Sequence, residues 1–107
     1  MLLRGTVILT RDIAGTSEPK PYVVVSSNRR NKSNFPSVLV VRITTTYKYD
    51  TLPSVVRLPD GESFSGYVRC DDIEPLYRND DTYQVVGSLS PHAMGLIDDG
   101  LRASLDL

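Results

Sequence analysis

Three runs of β-branched residues limit how this chain can fold more than any other feature. They are Thr6–Thr10, Tyr22–Ser26 and Val38–Thr44. Valine, isoleucine and threonine favour strands, because their branched side chains pack well on a pleated surface. The second and third runs are apolar almost throughout, which is typical of strands covered on both faces. We therefore expect a small closed barrel with something packed outside it, such as a second subunit.

Shorter strands are predicted further along the chain, at Val55–Leu58, Tyr67–Cys70 and Tyr83–Leu89. Between the first two, residues 59–61 read Pro-Asp-Gly, which is a turn sequence because proline presets φ and glycine tolerates a positive φ. Together with the three long runs, these segments predict a mainly β fold with α content, namely a small β-barrel of about five to seven strands plus a C-terminal helix.

The helix is indicated by a change of period after residue 89. Ser90 is a suitable N-cap and Pro91 fits the first helical position. Apolar residues then follow at helical spacing, namely Met94, Ile97, Leu101 and Leu105. Because glycines weaken a helix by about 1 kcal/mol each relative to alanine, this helix needs a docked apolar stripe to be stable.

Length and composition indicate one domain, residues 1–107, with a single hydrophobic core. No stretch approaches the roughly 20 apolar residues of a membrane span, so we expect a cytoplasmic protein that does not enter a membrane. The single cysteine, Cys70, cannot form an internal disulfide and has no partner at metal-ligand spacing. We expect a buried thiol and no metal site.

Charge is divided unevenly along the chain. Residues 1–50 hold eight Lys or Arg against three Asp or Glu, a net charge of +5, and residues 51–107 hold four against ten, a net charge of −6. The basic half could form a surface for phosphates, and the acidic half could contact a basic partner or a second copy of the chain. Compensation of the two halves within one fold is the alternative interpretation.

Alternation along the strand that begins near Gly66 places the side chains of Arg69 and Asp71 on one face. Cys70 then points to the opposite, apolar face. A guanidinium beside a carboxylate suits acid-base chemistry, although surface ion pairs of this kind are common.

Two polar segments are candidates for contact with a nucleic acid. Residues 28–34 include Arg29, Arg30 and Lys32 and few apolar side chains, so we expect an exposed loop that could engage phosphates. Residues 47–49 read Tyr-Lys-Tyr, and aromatic rings beside a cation are what single-stranded RNA needs for base stacking and charge. An exposed loop that binds nothing is the alternative in both cases.

Four motifs follow one another along most of the chain. They are Arg4-Gly5-x-Val7, the Ser17-Glu18 loop with the strand Lys20-Pro21-Tyr22-Val23-Val24-Val25-Ser26, the segment Ile43-Thr44-Thr45-Thr46, and Gly66-Tyr67-Val68-Arg69-Cys70-Asp71 before the terminal helix. In order and spacing the chain resembles the MazF/PemK endoribonuclease toxins of type II toxin–antitoxin systems, in the Kid/CcdB superfamily, and especially the shortened actinobacterial members. The resemblance implies a small SH3-like β-barrel.

The resemblance also implies an mRNA interferase, a sequence-specific and metal-independent endoribonuclease that cleaves single-stranded RNA by attack of a 2′-hydroxyl on the adjacent phosphate. No cofactor is then needed. In the MazF branch the residue before the strand proline has acid-base and charge-stabilising roles, which corresponds to Lys20, and a threonine donor at a strand end corresponds to Thr44. In the PemK/Kid branch the Arg-Cys-Asp segment corresponds to Arg69 and Asp71, with the carboxylate as base and the guanidinium as acid or stabiliser.

Two positions depart from the family pattern. Most relatives have arginine before the proline, whereas Lys20 is a point charge without the forked donors of a guanidinium. Lysine exchanges protons more readily than arginine when it is desolvated, which would suit an acid-base role. Where one branch has histidine, this chain has Ser17, so a hydroxyl donor remains at that point.

We hypothesise that Arg69 and Asp71 transfer protons, while Lys20 and Thr44 stabilise the phosphorane-like transition state. The residues expected to bind substrate, with Ser17 positioning it, are Ser17, Glu18, Arg29, Arg30, Lys32, Thr46, Tyr47, Lys48 and Tyr49.

The family resemblance further implies a homodimer with RNA crossing the groove between its subunits, and a cognate antitoxin whose flexible C-terminal segment blocks that groove. Operator DNA would be bound only through the antitoxin complex. Two alternatives stay open at this point. One is a non-catalytic inhibitor of a protein target such as DNA gyrase, as in CcdB-type barrels, and the other is an inactive RNA-binding or antitoxin-sequestering module.

Overall fold

The computed structural model describes residues 1–11, 13, 15, 17–46, 48–78 and 82–107. The strands of the described residues are β1 (Thr6–Thr10), β2 (Lys20–Val24), β3 (Ser37–Thr44), β4 (Val55–Arg57), β5 (Tyr67–Tyr77) and β6 (Tyr83–Ser88), and the helices are α1 (Asn28–Asn31) and α2 (Pro91–Leu105). The strands pair antiparallel in the order β4-β5-β3-β2-β1-β6. The expectation of a mainly β fold of about six strands with a C-terminal helix is confirmed.

Both faces of the sheet are covered, as the valine runs predict. Neighbouring residues of β2 point to opposite faces, so Val23 joins the core under α2 while Val24 joins a second core on the other face. Ile97 of α2 is fully buried in the first core, and burial of such a side chain stabilises a fold by about 1.5–3 kcal/mol. Leu2, from the N-terminal segment, is buried in the second core. The covering residues therefore come from the chain itself.

Helix α2 begins as the sequence predicts. The hydroxyl of Ser90 accepts a hydrogen bond from the backbone N–H of Ala93 at 3.1 Å, and Pro91 is the first helical residue. The helix packs against β5 and β4. Leu101 contacts the core, but Leu105 in the last turn is exposed, so the docked apolar stripe is one turn shorter than the predicted one.

Strand β5 extends to Tyr77, seven residues beyond the predicted end at Cys70. The sequence hides this extension because two aspartates and Pro75 follow, and such residues are depleted in strands. Pairing with β3 continues across an irregularity: Val68 lies opposite Ile43 and Ile73 opposite Val41. Four β5 residues, 69–72, therefore stand opposite the single residue Arg42, and an insertion of this kind bends a strand and redirects its side chains.

The segment 28–34 is not the wholly exposed loop that its polarity predicts. Its first four residues form α1, capped by Ser27, whose hydroxyl accepts a hydrogen bond from the backbone N–H of Arg30 at 3.2 Å. Asn31 is fully buried, and its amide donates to the carbonyl of Ser26 at 2.9 Å. Because this bond replaces the hydrogen bonds that water would make, a polar side chain can be buried here.

β4 and β6 end the strand order, so within the described residues the sheet is not closed by strand pairing, unlike the closed barrel that the valine runs predict. The ring of Phe64, in the segment after β4, lies against β6 at Gly87, where any Cβ would stand 3.0 Å from the ring. No helix of the described residues is both long and apolar enough to span a membrane.

Candidate active site

An open pocket of about 400 Å³ lies where β3 ends and β2 begins. Its lining residues are Lys20, Pro21, Arg42, Ile43, Thr44, Thr45, Ser63, Phe64 and Ser65. Tyr22 pairs with Arg42 across the two antiparallel strands. Lys20 lies two residues before Tyr22 and Thr44 lies two residues after Arg42, so both side chains are on the same face of the sheet. The antiparallel register thus brings together two predicted catalytic residues that are 24 positions apart in the sequence.

Lys20 brings a cation to this pocket. As the first residue of β2 its side chain is about one third exposed, and its Nζ lies 3.9 Å from the carboxylate of Glu18, which is itself 81% exposed. Such a solvated pair contributes little to stability, since median surface ion pairs are worth about 0–1 kcal/mol. The ammonium is therefore available to an anionic ligand.

Thr44 brings a hydroxyl to the same pocket. Its Oγ1 accepts a hydrogen bond from the backbone N–H of Thr46 at 3.2 Å. A hydroxyl that accepts in this way keeps its own hydrogen to donate elsewhere. The last residue of β3 is thus able to donate a hydrogen bond to a group in the pocket.

The start of β5 approaches Thr44 very closely. Gly66 has a φ of +115°, and a Cβ at this position would lie 2.4 Å from the carbonyl oxygen of Thr44. Only glycine combines this conformation with this approach. The next residue, Tyr67, pairs with Thr44 and lines an adjoining hollow of about 230 Å³ together with Arg57, so the pocket continues as a groove toward β4.

Arg69 and Asp71 form a separate feature on the exposed surface of β5. Nε of Arg69 lies 3.1 Å from Oδ1 of Asp71, and Nη2 lies 3.3 Å from Oδ2. Two nitrogens of the guanidinium thus donate to the two oxygens of the carboxylate. The predicted placement of the two side chains on one face is confirmed. Neither residue lines the pocket of Lys20 and Thr44. The guanidinium also lies 5.9 Å from the centre of the Tyr49 ring.

The electrostatics of this pair oppose easy proton transfer. Hydrogen bonding to Arg69 holds the pKa of Asp71 below its ordinary value, and the same contact raises the pKa of Arg69. A carboxylate with a lowered pKa is a weaker base, and a guanidinium with a raised pKa is a weaker acid. Paired as they are, the two residues favour their charged forms.

Some of the predicted substrate-binding residues lie beside the pocket in the chain. Ser17 and Glu18 precede β2 directly and are exposed. Thr46, Lys48 and Tyr49 follow β3 and are exposed as well, with the Lys48 ammonium 5.5 Å from the centre of the Tyr49 ring. The predicted contact at Tyr47 lies outside the described residues.

The basic segment of α1 is not brought to this pocket. Arg29, Arg30 and Lys32 lie where β3 begins, and eight strand residues, about 24 Å of chain, separate them from Thr44. Arg30 stacks on the ring of Phe35 at 3.9 Å and donates to the hydroxyl of Ser37 at 3.3 Å. Its guanidinium therefore has a structural role, and substrate binding by Arg29, Arg30 and Lys32 away from this pocket stays a prediction.

Sequence reasoning missed several pocket residues, above all Arg42 and Phe64. A signal for Arg42 was present in the sequence, because it is the one charged residue of β3. Phe64 and its neighbouring serines had no such signal, because a segment after a turn sequence can lie anywhere on the surface. Within the described ranges, no group of three or more His, Cys, Asp or Glu side chains is arranged to hold a metal ion.

Comparison with known proteins gives a consistent result. A family model described as PemK-like, MazF-like toxin of type II toxin-antitoxin system matches residues 4–105. The chain is 35% identical over 88 residues to endoribonuclease MazF4 of Mycobacterium tuberculosis. The aligned region covers 82% of this chain and 80% of the relative. Endoribonuclease MazF1 of Mycobacterium bovis gives the same values.

Solved structures agree with these matches. An endoribonuclease in complex with its cognate antitoxin, from a mycobacterial species, superposes with a TM-score of 0.85 and 34% identity, covering 100% of this chain and 97% of that chain. MazF in a MazE-MazF complex from Deinococcus radiodurans has a TM-score of 0.74, with 98% and 95% of the two chains covered. At 18% identity this second likeness concerns the fold alone.

Proposed function

This chain belongs to the PemK-like, MazF-like toxins of type II toxin–antitoxin systems and is an endoribonuclease, and we propose that it cuts single-stranded RNA at a short recognition sequence without a metal ion. The observation that supports this proposal most directly is the shared pocket of Lys20 and Thr44. A cation and a hydroxyl donor facing one open cavity suit a phosphate whose negative charge increases during reaction.

In the proposed mechanism the 2′-hydroxyl of a bound nucleotide attacks the adjacent phosphorus. The proton of the 2′-hydroxyl passes to a base, and the bond to the leaving 5′-oxygen breaks as that oxygen takes a proton from an acid, which leaves a 2′,3′-cyclic phosphate on one product and a 5′-hydroxyl on the other. Lys20 and Thr44 contact the non-bridging oxygens and stabilise the pentacoordinate transition state. Preorganised donors of this kind typically contribute about 10²–10³ in rate each.

Proton transfer by Arg69 and Asp71 is the second part of the mechanism, and it requires the bound RNA to extend from the pocket to this pair, which does not line the pocket. Because the two side chains neutralise each other, an RNA phosphate near Arg69 would compete with Asp71 for the forked donors. Loss of that contact would raise the pKa of Asp71 toward its ordinary value and make the carboxylate a better base. RNA binding and activation of the base would then be coupled.

The partners proposed for this chain are a second copy of itself and a cognate antitoxin. The relative solved with its cognate antitoxin supports the antitoxin partner. A flexible acidic segment lying along the groove near Lys20 and Arg57 would exclude RNA, because both ligands need the same cations. We place the toxin in the cytoplasm, where its RNA substrate is made.

The test is incubation of the purified protein with a long single-stranded RNA in EDTA, followed by mapping of every new 5′ end. Discrete cuts at one recurring motif, with 5′-hydroxyl and cyclic phosphate termini, are expected. A substrate with 2′-deoxyribose at the mapped position should resist cleavage, since it lacks the attacking group. Intact RNA, or cuts that disappear in EDTA and return with Mg²⁺, would contradict the proposal.

Three variants assign the roles within that assay. Lys20→Ala should abolish cleavage in folded protein. If Arg69→Ala and Asp71→Ala each retain near-normal cleavage, proton transfer does not belong to that pair. An inhibitor of gyrase would instead leave RNA intact and block DNA supercoiling.

A further inference from the structure

Arg42 has a buried nitrogen that no described residue satisfies. Its Nε is inaccessible to solvent and has no hydrogen-bond partner. Buried polar atoms in proteins are nearly always paired. An unpaired Nε does not by itself show a ligand, because Nε of Arg30, whose guanidinium stacks on Phe35, is unpaired as well, so the position of Arg42 must identify one. The proposed mechanism above makes no use of this side chain.

The position of Arg42 indicates what that ligand is. It lies in β3 directly opposite Tyr22, two residues before Thr44, and lines the same pocket as Lys20 and Thr44. The register therefore places its side chain on the pocket face of the sheet. The residue is only partly exposed, and its side chain contributes to the pocket lining.

The alternative to a ligand is charge balance with nearby carboxylates. Arg42, Asp72 and Glu74 all act electrostatically on the buried hydroxyl of Tyr22, so these groups lie close together. The two carboxyl groups, however, hydrogen-bond each other, and this contact raises the pKa of Glu74. Among the described residues no ion pair within 4 Å joins Arg42 to either carboxylate, so charge balance does not occupy its guanidinium.

We propose that Arg42 is a substrate-binding residue of this enzyme, which donates N–H groups from the two Nη atoms at the end of its guanidinium to the RNA phosphate held in the pocket with Lys20 and Thr44, since its Nε is closed to solvent. This inference rests on the proposed function. A guanidinium matches two phosphate oxygens at once, whereas the ammonium of Lys20 is a point charge. Arg42 thus provides a forked contact that the ammonium of Lys20 cannot make.

The experiment measures kcat/KM on a short RNA that contains the cleavage motif mapped with the wild-type protein. The variants are Arg42→Gln, Arg42→Lys, Lys20→Arg and the double variant Lys20→Arg with Arg42→Gln. Arg102→Gln is the matched control, because Arg102 is an exposed arginine of α2 that contacts only Asp99 by its guanidinium among the described residues. Thermal unfolding of each variant separates loss of binding from loss of fold.

We expect Arg42→Gln to lower kcat/KM about a hundredfold, by analogy with loss of one preorganised donor, and Arg42→Lys to recover only part of that loss. Lys20→Arg should restore cleavage at least about tenfold in the Arg42→Gln background, because it returns a forked donor to the pocket. A purely structural arginine would not be replaced in this way.

Cleavage by Arg42→Gln within about twofold of wild type, or full activity of folded Arg42→Lys, would overturn the inference. Failure of Lys20→Arg to rescue folded Arg42→Gln would overturn it as well. If Arg42→Gln does not fold, the activity of Arg42→Lys decides: a loss of about tenfold or more supports the forked contact. If the wild-type protein itself leaves RNA intact in EDTA, the proposed function has failed, which is a distinct result.

Discussion

The carboxylate of Glu62 accepts two hydrogen bonds from Ser90, one from the backbone nitrogen at 2.9 Å and one from the hydroxyl at 2.6 Å. Ser90 is the N-cap of α2, and Glu62 lies directly before the three pocket residues 63–65. The contact therefore ties one wall of the pocket to the start of the helix. It also satisfies a backbone donor at the helix N-terminus, where a negative charge is favoured.

The Glu62 contact should make stability depend on pH. Hydrogen bonds from Ser90 lower the pKa of Glu62 in the folded protein below its ordinary value of 4.5. The stabilisation of the folded protein by this contact is thus fully present above the ordinary pKa of Glu62, and it is lost as the pH falls through the lowered pKa of the folded protein. In urea unfolding, wild type should be more stable than Glu62→Gln at pH 7, and this difference should shrink below about pH 4. A difference that stays constant down to pH 2 would contradict this account.

Thr44→Val tests the hydroxyl in the pocket. The substitution keeps the branched shape that a strand favours and removes only the donor. We expect kcat to fall about a hundredfold while the melting temperature changes little. Thr6→Val in β1 is the matched control, because Thr6 is a half-buried strand threonine that does not line the pocket. Equal activity of the two variants would remove Thr44 from the mechanism.

Arg69→Gln should raise the pKa of Asp71 toward its ordinary value, because the hydrogen bond from Arg69 is the main cause of its lowering. NMR titration of the side-chain carboxyl carbons measures this shift directly. Arg102→Gln should leave the pKa of Asp71 unchanged, because the guanidinium of Arg102 contacts Asp99 instead. An Asp71 pKa that does not move in Arg69→Gln would mean that the forked pair does not form in solution.

Two glycines of α2 should respond oppositely to alanine. A Cβ at Gly95 meets nothing within 4 Å, so Gly95→Ala should stabilise the protein by up to about 1 kcal/mol through helix propensity. A Cβ at Gly100 would lie 2.5 Å from Val56 and 2.9 Å from the sulfur of Cys70. Because overpacking costs about 1–3 kcal/mol, Gly100→Ala should be less stable than Gly95→Ala by about that amount. Chemical denaturation measures both, and equal stabilities would show that α2 is not docked so closely.

Cys70 should be unreactive in the folded protein. The thiol is fully buried beside α2, and this burial raises its pKa to about 12. Since the thiolate is the reactive form, labelling by a thiol reagent at pH 8 should be slow under native conditions and rapid in urea. Prompt stoichiometric labelling of native protein would show that the α2 side of the core opens readily.

Much of the fold follows from local pattern. The valine runs, the turn at residues 59–61 and the N-cap at Ser90 each specify their element through short-range sterics and hydrogen bonding, and the structure confirms them. The second half of β5 does not follow from such pattern, because Asp71, Asp72 and Pro75 disfavour strands and only pairing with β3 overrides that preference. The burial of Asn31 depends on hydrogen bonds to Ser26, in the short connection between β2 and α1, which its polar sequence neighbours do not indicate.

The sequence by itself determined the class of fold and the family, and it predicted two residues that line one pocket, because Lys20 and Thr44 each stand in a short motif that ends or begins a strand. Tertiary structure alone decided which charged groups share a cavity. Strand register brings Arg42 to the pocket and leaves Arg69 and Asp71 paired on the surface, while Arg30 binds Phe35 at the other end of β3. The reason is that contact between distant positions depends on strand register and on the extra β5 residues opposite Arg42, and neither can be predicted from local sequence.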